Sequence, residues 1–194
     1  MRRLRIGSTA VSRDGFAGVR IATSRETLCI DVINVDGCSY LLYTHLHPRH
    51  FPRMEKIDIG KTVSPSIGLH RIRPGDAITL GGFAIKAIDA YNIGEGKEVV
   101  HPKGLGVGYI VKTNDITVYH MGDTDLVPEI LDIGVKIDVL FIPIGCKNVL
   151  CPEEALEVVK SLRPFIAVPI HYEDKSLLYT FRDVAQPYTQ VVIM

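Results

Sequence analysis

Three histidines stand close together in Thr44-His45-Leu46-His47-Pro48-Arg49-His50, directly after an apolar run at residues 40–43 that reads as a strand. In extended backbone, residues two apart face the same side, so the imidazoles of His45 and His47 can reach one ion. Pro48 then bends the chain, which lets His50 aim at a neighbouring point. Imidazole is a ligand that suits zinc and iron. Other ligand types sit at other strand ends. Asp123 follows Gly122 just past an apolar strand at 116–120, where a glycine leaves room for a carboxylate to approach a cation. His171 closes the apolar run 166–170, and His101 lies in a loop spanning 92–104. Alone, each of these three is ordinary: Gly-Asp is also a plain turn, and a single histidine at a strand end is usually packed or solvated. Together they form a pattern in which separate strand ends each deliver a metal-type side chain, as a layered fold gathers them at one edge. The chemistry this offers is activation of water by a bound cation. Zinc, as one or two ions, is the expected occupant, with iron or manganese as the other candidates.

The elements that must position these residues change character along the chain. Early strands are expected at 4–7, 17–22, 27–33 and 40–44, with Asp14-Gly15 and Asp36-Gly37 as turns. Strands 77–80 and 83–90 flank Gly81-Gly82, which suits a tight hairpin. A second hairpin joins 107–112 to 116–120 through Thr113-Asn114-Asp115. In the last third, Asp125 can cap a short helix at 126–131, and 139–144 reads as a covered central strand. Pro152-Glu153-Glu154 opens a helix through 162, with proline in its first turn and acids at its positive end. Strand 165–170 and a helix near 174–184 follow. The expected architecture is α/β: a four-layer αββα sandwich of two mixed sheets packed face to face, helices outside, in one domain spanning 1–194. Pocket walls are expected from the loops 51–66 and 92–103.

With 46% hydrophobic and 23% charged residues, the chain can bury an ordinary globular core. Its 22 basic and 22 acidic residues cancel, leaving no global field to gather nucleic acid or anionic lipid. Arg2, Arg3 and Arg5 read as a solvated strand edge. Residues 6–16 are broken by polar residues and glycines, so no apolar signal segment forms. No window approaches the ~20 apolar residues of a spanning helix. The expectation is a cytoplasmic protein acting on a small molecule, without nucleic-acid or membrane partners. Cys29, Cys38, Cys146 and Cys151 lack the spacing of a zinc knuckle. They are expected as free thiols, Cys29 and Cys146 as small buried hydrophobes.

The segments Thr44-His45-x-His47-x-x-His50, His101-Pro102-Lys103-Gly104, Gly122-Asp123-Thr124-Asp125 and Pro169-Ile170-His171-Tyr172 resemble the metallo-β-lactamase superfamily. They are most similar to its small stand-alone branch of predicted metal-dependent hydrolases, related to the ascorbate-phosphate lactonases. The resemblance runs from Gly7 to Tyr172 and implies the same sandwich. It implies one metal site from His45, His47 and His101 and another from His50 and His171, with Asp123 between them. It also implies metal-activated water as the nucleophile and an ester, lactone or phosphodiester as the bond cleaved. His120, before the Gly-Asp turn, and Asp31, in an early strand, are expected behind the ligands, orienting them.

One departure stands out. The family pattern is His-x-His-x-Asp-His, and Arg49 occupies the aspartate's place. A unit charge opposing another about 5 Å away costs around 3 kcal/mol at an effective dielectric near 20, and a dication doubles that. Three outcomes follow: a mononuclear centre, an Arg49 turned outward to receive an anionic substrate group, or a degenerate metal-binding or sensor protein without catalysis. A single-iron oxygenase would use the same histidines. Asp123 and Arg49 are the residues expected to act in catalysis, with Lys103 as a further cation that could meet substrate.

Overall fold

The computed structural model describes residues 2–94 and 99–194, so the middle of the 92–104 loop, including Gly96, lies outside the described residues. Two seven-stranded sheets form, each in chain order. The first holds β1 (Leu4–Ile6), β2 (Thr9–Asp14), β3 (Gly18–Ala22), β4 (Thr27–Ile30), β5 (Tyr40–Leu42), β6 (Thr62–Ser64) and β7 (His70–Arg71). The second holds β8 (Ala77–Leu80), β9 (Phe83–Ala90), β10 (Gly106–Lys112), β11 (Thr117–His120), β12 (Val139–Pro143), β13 (Ile166–Ile170) and β14 (Gln190–Val191). Each sheet switches from antiparallel to parallel pairing after its fourth strand, at β4–β5 and at β11–β12. Parallel neighbours need crossover connections, and those leave from the carboxyl ends of the strands. Every such strand therefore opens a loop at one common edge.

The sheets pack through alternate residues. In β12, Val139 and Phe141 enter the core between the sheets, whereas Leu140 and Ile142 face outward. In β13, Ile166, Val168 and Ile170 point inward and Ala167 outward. Both strands are buried along their whole length, which explains their unbroken apolar sequence. The outer face of the second sheet is covered by α1 (Pro152–Leu162) and α2 (Lys175–Ala185). Ala155, Val158, Val159, Leu178, Phe181 and Ala185 make that contact. Asp174 caps α2 by accepting from the Ser176 N–H at 2.8 Å, and Glu154 reaches back to the N–H of Cys151 at the start of α1, at 2.7 Å.

The two mixed sheets packed face to face match the expected sandwich, and the outer face of the first sheet is covered by irregular segments. Cys29, Val32, Leu41 and Tyr43 pack against Val35, Cys38, Phe51 and Ile57, without an α-helix among the described residues. Several local expectations are also corrected. Residues 9–14, for which no element was expected, form a strand, because Thr9, Val11 and Ser12 are buried in an antiparallel pair on each side. Residues 51–66 contain two 3₁₀ turns and the buried strand β6 rather than open loop. The helix expected at 126–131 is a single 3₁₀ turn, Pro128–Ile130. Pro128 forces Val127 into extended backbone, and Asp125 is used elsewhere. The cysteines are not free. Cys29 on β4 meets Cys38 just before β5, Cys146 meets Cys151 at the start of α1, and both pairs are disulfide-bonded. Spacing excluded a knuckle but could not show that parallel pairing and a tight loop bring each pair together. No helix among the described residues is long and apolar enough to cross a membrane.

The alternation gives a direct test. Phe141 is fully buried between the sheets, whereas Phe165, one residue before β13, is 67% exposed. Phe141→Ala is expected to lower unfolding free energy by about 3–5 kcal/mol, and Phe165→Ala by no more than about 0.5 kcal/mol. Urea unfolding of both variants checks this.

Candidate metal centre

The six side chains singled out by type and spacing meet at the carboxyl-end edge of the two sheets. His45, His47 and His50 follow β5, His101 lies between β9 and β10, Asp123 follows β11, and His171 follows β13. Four imidazoles surround one oxygen. Nε2 of His171, His50, His101 and His45 stand 2.9, 3.4, 3.5 and 3.7 Å from Oδ2 of Asp123. His47 joins through Nδ1, 3.2 Å from Nε2 of His101. The donor atoms fall into two neighbouring groups, His45 with His47 and His101, and His50 with Asp123 and His171.

Glycine and left-handed backbone make this convergence possible. Gly122 has φ +67°, and a Cβ there would stand 2.7 Å from the Val107 carbonyl oxygen. The sequence suggested that glycine clears space for a cation; the structure shows that it clears space for a neighbouring strand. His171 itself has φ +54°, and its N–H donates to Phe16 O at 3.0 Å. Gly145 lets that backbone pass, since a Cβ would lie 2.2 Å from the His171 carbonyl oxygen.

Behind the imidazoles, three acceptors fix which nitrogen faces inward. Asp31 accepts from Nδ1 of His50 at 2.8 Å, and also from the Thr44 N–H and hydroxyl at 2.8 and 2.6 Å. With its own proton given to Asp31, the Thr44 hydroxyl accepts from Nδ1 of His45 at 2.9 Å. Asn92 Oδ1 accepts from Nδ1 of His101 at 2.8 Å and from its backbone N–H at 3.1 Å. The Asn92 amide cannot be turned round, because its Nδ2 faces Asp125 Oδ1 and Asn148 O at 2.9 and 3.0 Å, both acceptors only. In His45 and His101 the Nδ1 proton is used outward and the Nε2 lone pair points in, the arrangement found behind metal-binding histidines; His50 likewise gives its Nδ1 proton outward, to Asp31. Asp31 lies close enough to be counted with His45 and His50 as a ligand group, but its oxygens are already taken by Thr44 and His50. Asn92 and Thr44 were not singled out in the sequence. The short spacing of Asn92 to His101 across one loop was the signal available. His120 is fully buried; it donates to Ala17 O at 2.8 Å and accepts from the Gly122 N–H at 3.2 Å. It therefore holds the turn that carries Asp123 and does not touch the imidazole ring cluster's donor atoms.

The electrostatics favour a cation. Nε2 of His45 is buried and has no hydrogen-bond partner among the described residues, an arrangement that is costly unless something else occupies the lone pair. Burial pushes the His45 imidazole down to about 3, so it stays neutral and its lone pair free. Burial also acts to lower His50, but the carboxylates of Asp123 and Asp31 outweigh it and raise His50 to about 10. Asp123 is buried, which opposes ionisation, yet His50 and His171 hold its carboxyl well below the usual range. A site that keeps one imidazole protonated against burial is a site where positive charge is stabilised, and the donor set fits a divalent cation of the zinc type.

Arg49 does not put its charge among these donors. Its guanidinium is ion-paired with Glu173 and lies 4.5 Å over the ring of Phe16. Lys103 is paired with Glu129 and lies 4.7 Å over Tyr91, outside the cavity. The cavity at the cluster has a volume of about 690 Å³. Its walls come from Phe16, Val100, Lys147, Asn148, Glu173 and Leu177. The expected contribution of residues 51–66 is absent from that lining, since this segment turns away to cover the first sheet.

Comparison with known proteins follows the same lines. Residues 17–171 match the family model described as a Beta-lactamase superfamily domain. A UPF0173 protein of Pyrococcus furiosus is 31% identical over 158 residues, covering 74% of this chain and 70% of its own length. The UPF0173 metal-dependent hydrolase of Lysinibacillus sphaericus is 29% identical over 194 residues, covering 84% of each. Among solved structures, the fold is shared with Igni18, a metallo hydrolase from the archaeon Ignicoccus hospitalis, with a TM-score of 0.77 and 21% identity over 96% of this chain and 94% of that one. The match begins before β3 and ends on the last of the six converging side chains, and the chain therefore belongs to the beta-lactamase superfamily domain family.

Proposed function

We propose that this chain is a metal-dependent hydrolase of a small molecule, with zinc held by His45, His47 and His101 in one position and by His50 and His171 in the next, Asp123 lying between the two. The observation that carries this reading is the set of four Nε2 atoms within 3.7 Å of one carboxylate oxygen, backed by outward acceptors for the Nδ1 protons of His45, His50 and His101. Bound there, a divalent cation supplies a Lewis acid for a carbonyl or phosphoryl oxygen and lowers the pKa of water. The chain's own residues do the rest. Asp123, kept ionised, supplies the negative charge common to both positions. Asp31, Thr44 and Asn92 hold the rings in the tautomer that faces inward. His120 anchors the turn beneath Asp123. The cavity admits a small ester, lactone or phosphodiester, and the names of the UPF0173 relatives support hydrolysis as the reaction class. With Arg49 drawn out to Glu173, the His50–Asp123–His171 group keeps its three donors, which favours two positions over one.

Metal content per chain, by elemental analysis of protein purified without chelators or added metal, is the first check. Two zinc ions per chain are expected, and screens against lactones and phosphodiesters then define the bond cleaved. One zinc would restrict the centre to His45, His47 and His101. Iron would redirect the reading to oxygen chemistry, and a protein that takes up no metal would overturn it.

The tautomer argument gives a second check. Asn92→Ala is expected to weaken metal affinity by about 10–100-fold, read by competition with a chromophoric chelator. An unchanged affinity would mean that Asn92 does not set the His101 ring.

A further inference from the structure

Arg49 is fixed beside the cluster without helping to hold it. Its backbone lies in a turn where the N–H groups of His50 and Phe51 both donate to His47 O at 2.9 Å, so neighbouring ligands determine where Arg49 starts. Its guanidinium lies 4.5 Å over Phe16, and the Phe16 ring lies 4.3 Å from the ring of His171. A planar cation is thus stacked on the cavity wall, one ring away from a member of the cluster. Glu173, whose side chain is 68% exposed, pairs with it, and Arg49 itself is 58% exposed. A pair this open contributes only about 0–1 kcal/mol, so an anion entering the cavity can replace Glu173. The fork of a guanidinium matches carboxylate and phosphate with two parallel hydrogen bonds. A cavity of about 690 Å³ is of the size that encloses small ligands, roughly 300–1,000 Å³.

We propose that Arg49 is an anion subsite: it receives a carboxylate or phosphate group at the end of the substrate remote from the bond attacked, in place of Glu173. The Glu173 carboxylate stands where the substrate anion would bind, so the site is self-capped when empty of substrate. This rests on the hydrolytic reading only in taking the cavity as the substrate site. It assigns the substrate class as a small molecule with one reactive bond and one separate negative charge.

The test is a calorimetric titration of the metal-loaded protein with α,ω-dicarboxylates from malonate to adipate, with acetate as the single-charge reference and 3-phosphonopropionate as the phosphate-type arm. One chain length is expected to bind more tightly than acetate by on the order of tenfold. Arg49→Ala is expected to abolish that advantage, and Arg49→Lys, which keeps the charge without the fork, to retain part of it. Glu173→Gln removes the competing carboxylate and is expected to tighten binding by about two- to fivefold. If 3-phosphonopropionate exceeds the dicarboxylate of equal length, the group received is phosphate-like; the reverse order makes it a carboxylate. An R49A protein that keeps the full advantage, or a wild-type protein that shows none at any length, would overturn the proposal. Failure of the hydrolytic reading is a separate result: Arg49-dependent binding persists while ester, lactone and phosphodiester panels remain uncleaved.

Discussion

A carboxylate with almost no access to water has to be surrounded by positive charge or lose its proton, because removing an isolated ion from water costs several kcal/mol. Asp123 is in that position, only 5% exposed and held ionised by the imidazoles around it. Most of the unusual features of the molecule serve this one buried charge. Gly122 takes a left-handed backbone to seat it, His120 braces the turn from beneath, and four histidine nitrogens are drawn to a single oxygen. Protonation of His50 provides compensation from within the protein, and a divalent cation is a stronger form of the same compensation. The folded geometry thus already answers the electrostatic requirement that a bound cation would meet more strongly.

The sandwich makes the requirement attainable. Loops from one sheet could not surround a point, since their strand ends lie in a row. Two sheets facing each other bring the loop after β5 to those after β9, β11 and β13, where His45, His101, Asp123 and His171 meet. The packing that secures this is ordinary alternation of apolar residues, with Phe141, Val168 and Tyr109 locking the second sheet to Leu42, Val63 and Ile30 of the first. Among the described residues, α-helices guard the outer face of the second sheet, where β12 and β13 carry outward apolar residues to cover. The first sheet carries fewer, and the Cys29–Cys38 bridge with nearby loop residues suffices.

Arg49 shows how a change of charge beside such a centre can be absorbed. A guanidinium among the imidazoles would oppose any cation bound there. Phe16 and Glu173 instead offer an aromatic face and a carboxylate at the cavity mouth. The turn that fixes His50 is kept, because it is made by backbone hydrogen bonds to His47 O that do not depend on the side chain at 49.

Residue type, spacing and the family resemblance together named all six converging side chains: the apolar runs 40–43 before His45 and 166–170 before His171 are legible on their own, whereas His101 stands in a loop between β9 and β10. The same alternation gave the hairpin at Gly81-Gly82 and the opening of α1 at Pro152, both local matters of turn chemistry and capping. What sequence could not decide depends on neighbours that only the folded chain supplies. Residues 9–14 are too polar to read as a strand until β1 and β3 supply hydrogen bonds on both sides. The cysteine pairs become bonds only through the neighbours that the fold creates. Asn92 orients His101 only because Asp125 and Asn148, 33 and 56 residues away, turn its amide. The direction of Arg49 was decided by Phe16 and Glu173, which share nothing with it in sequence. Local chemistry is encoded where it stands; orientation is set by long-range contacts, and those exist only in the folded chain.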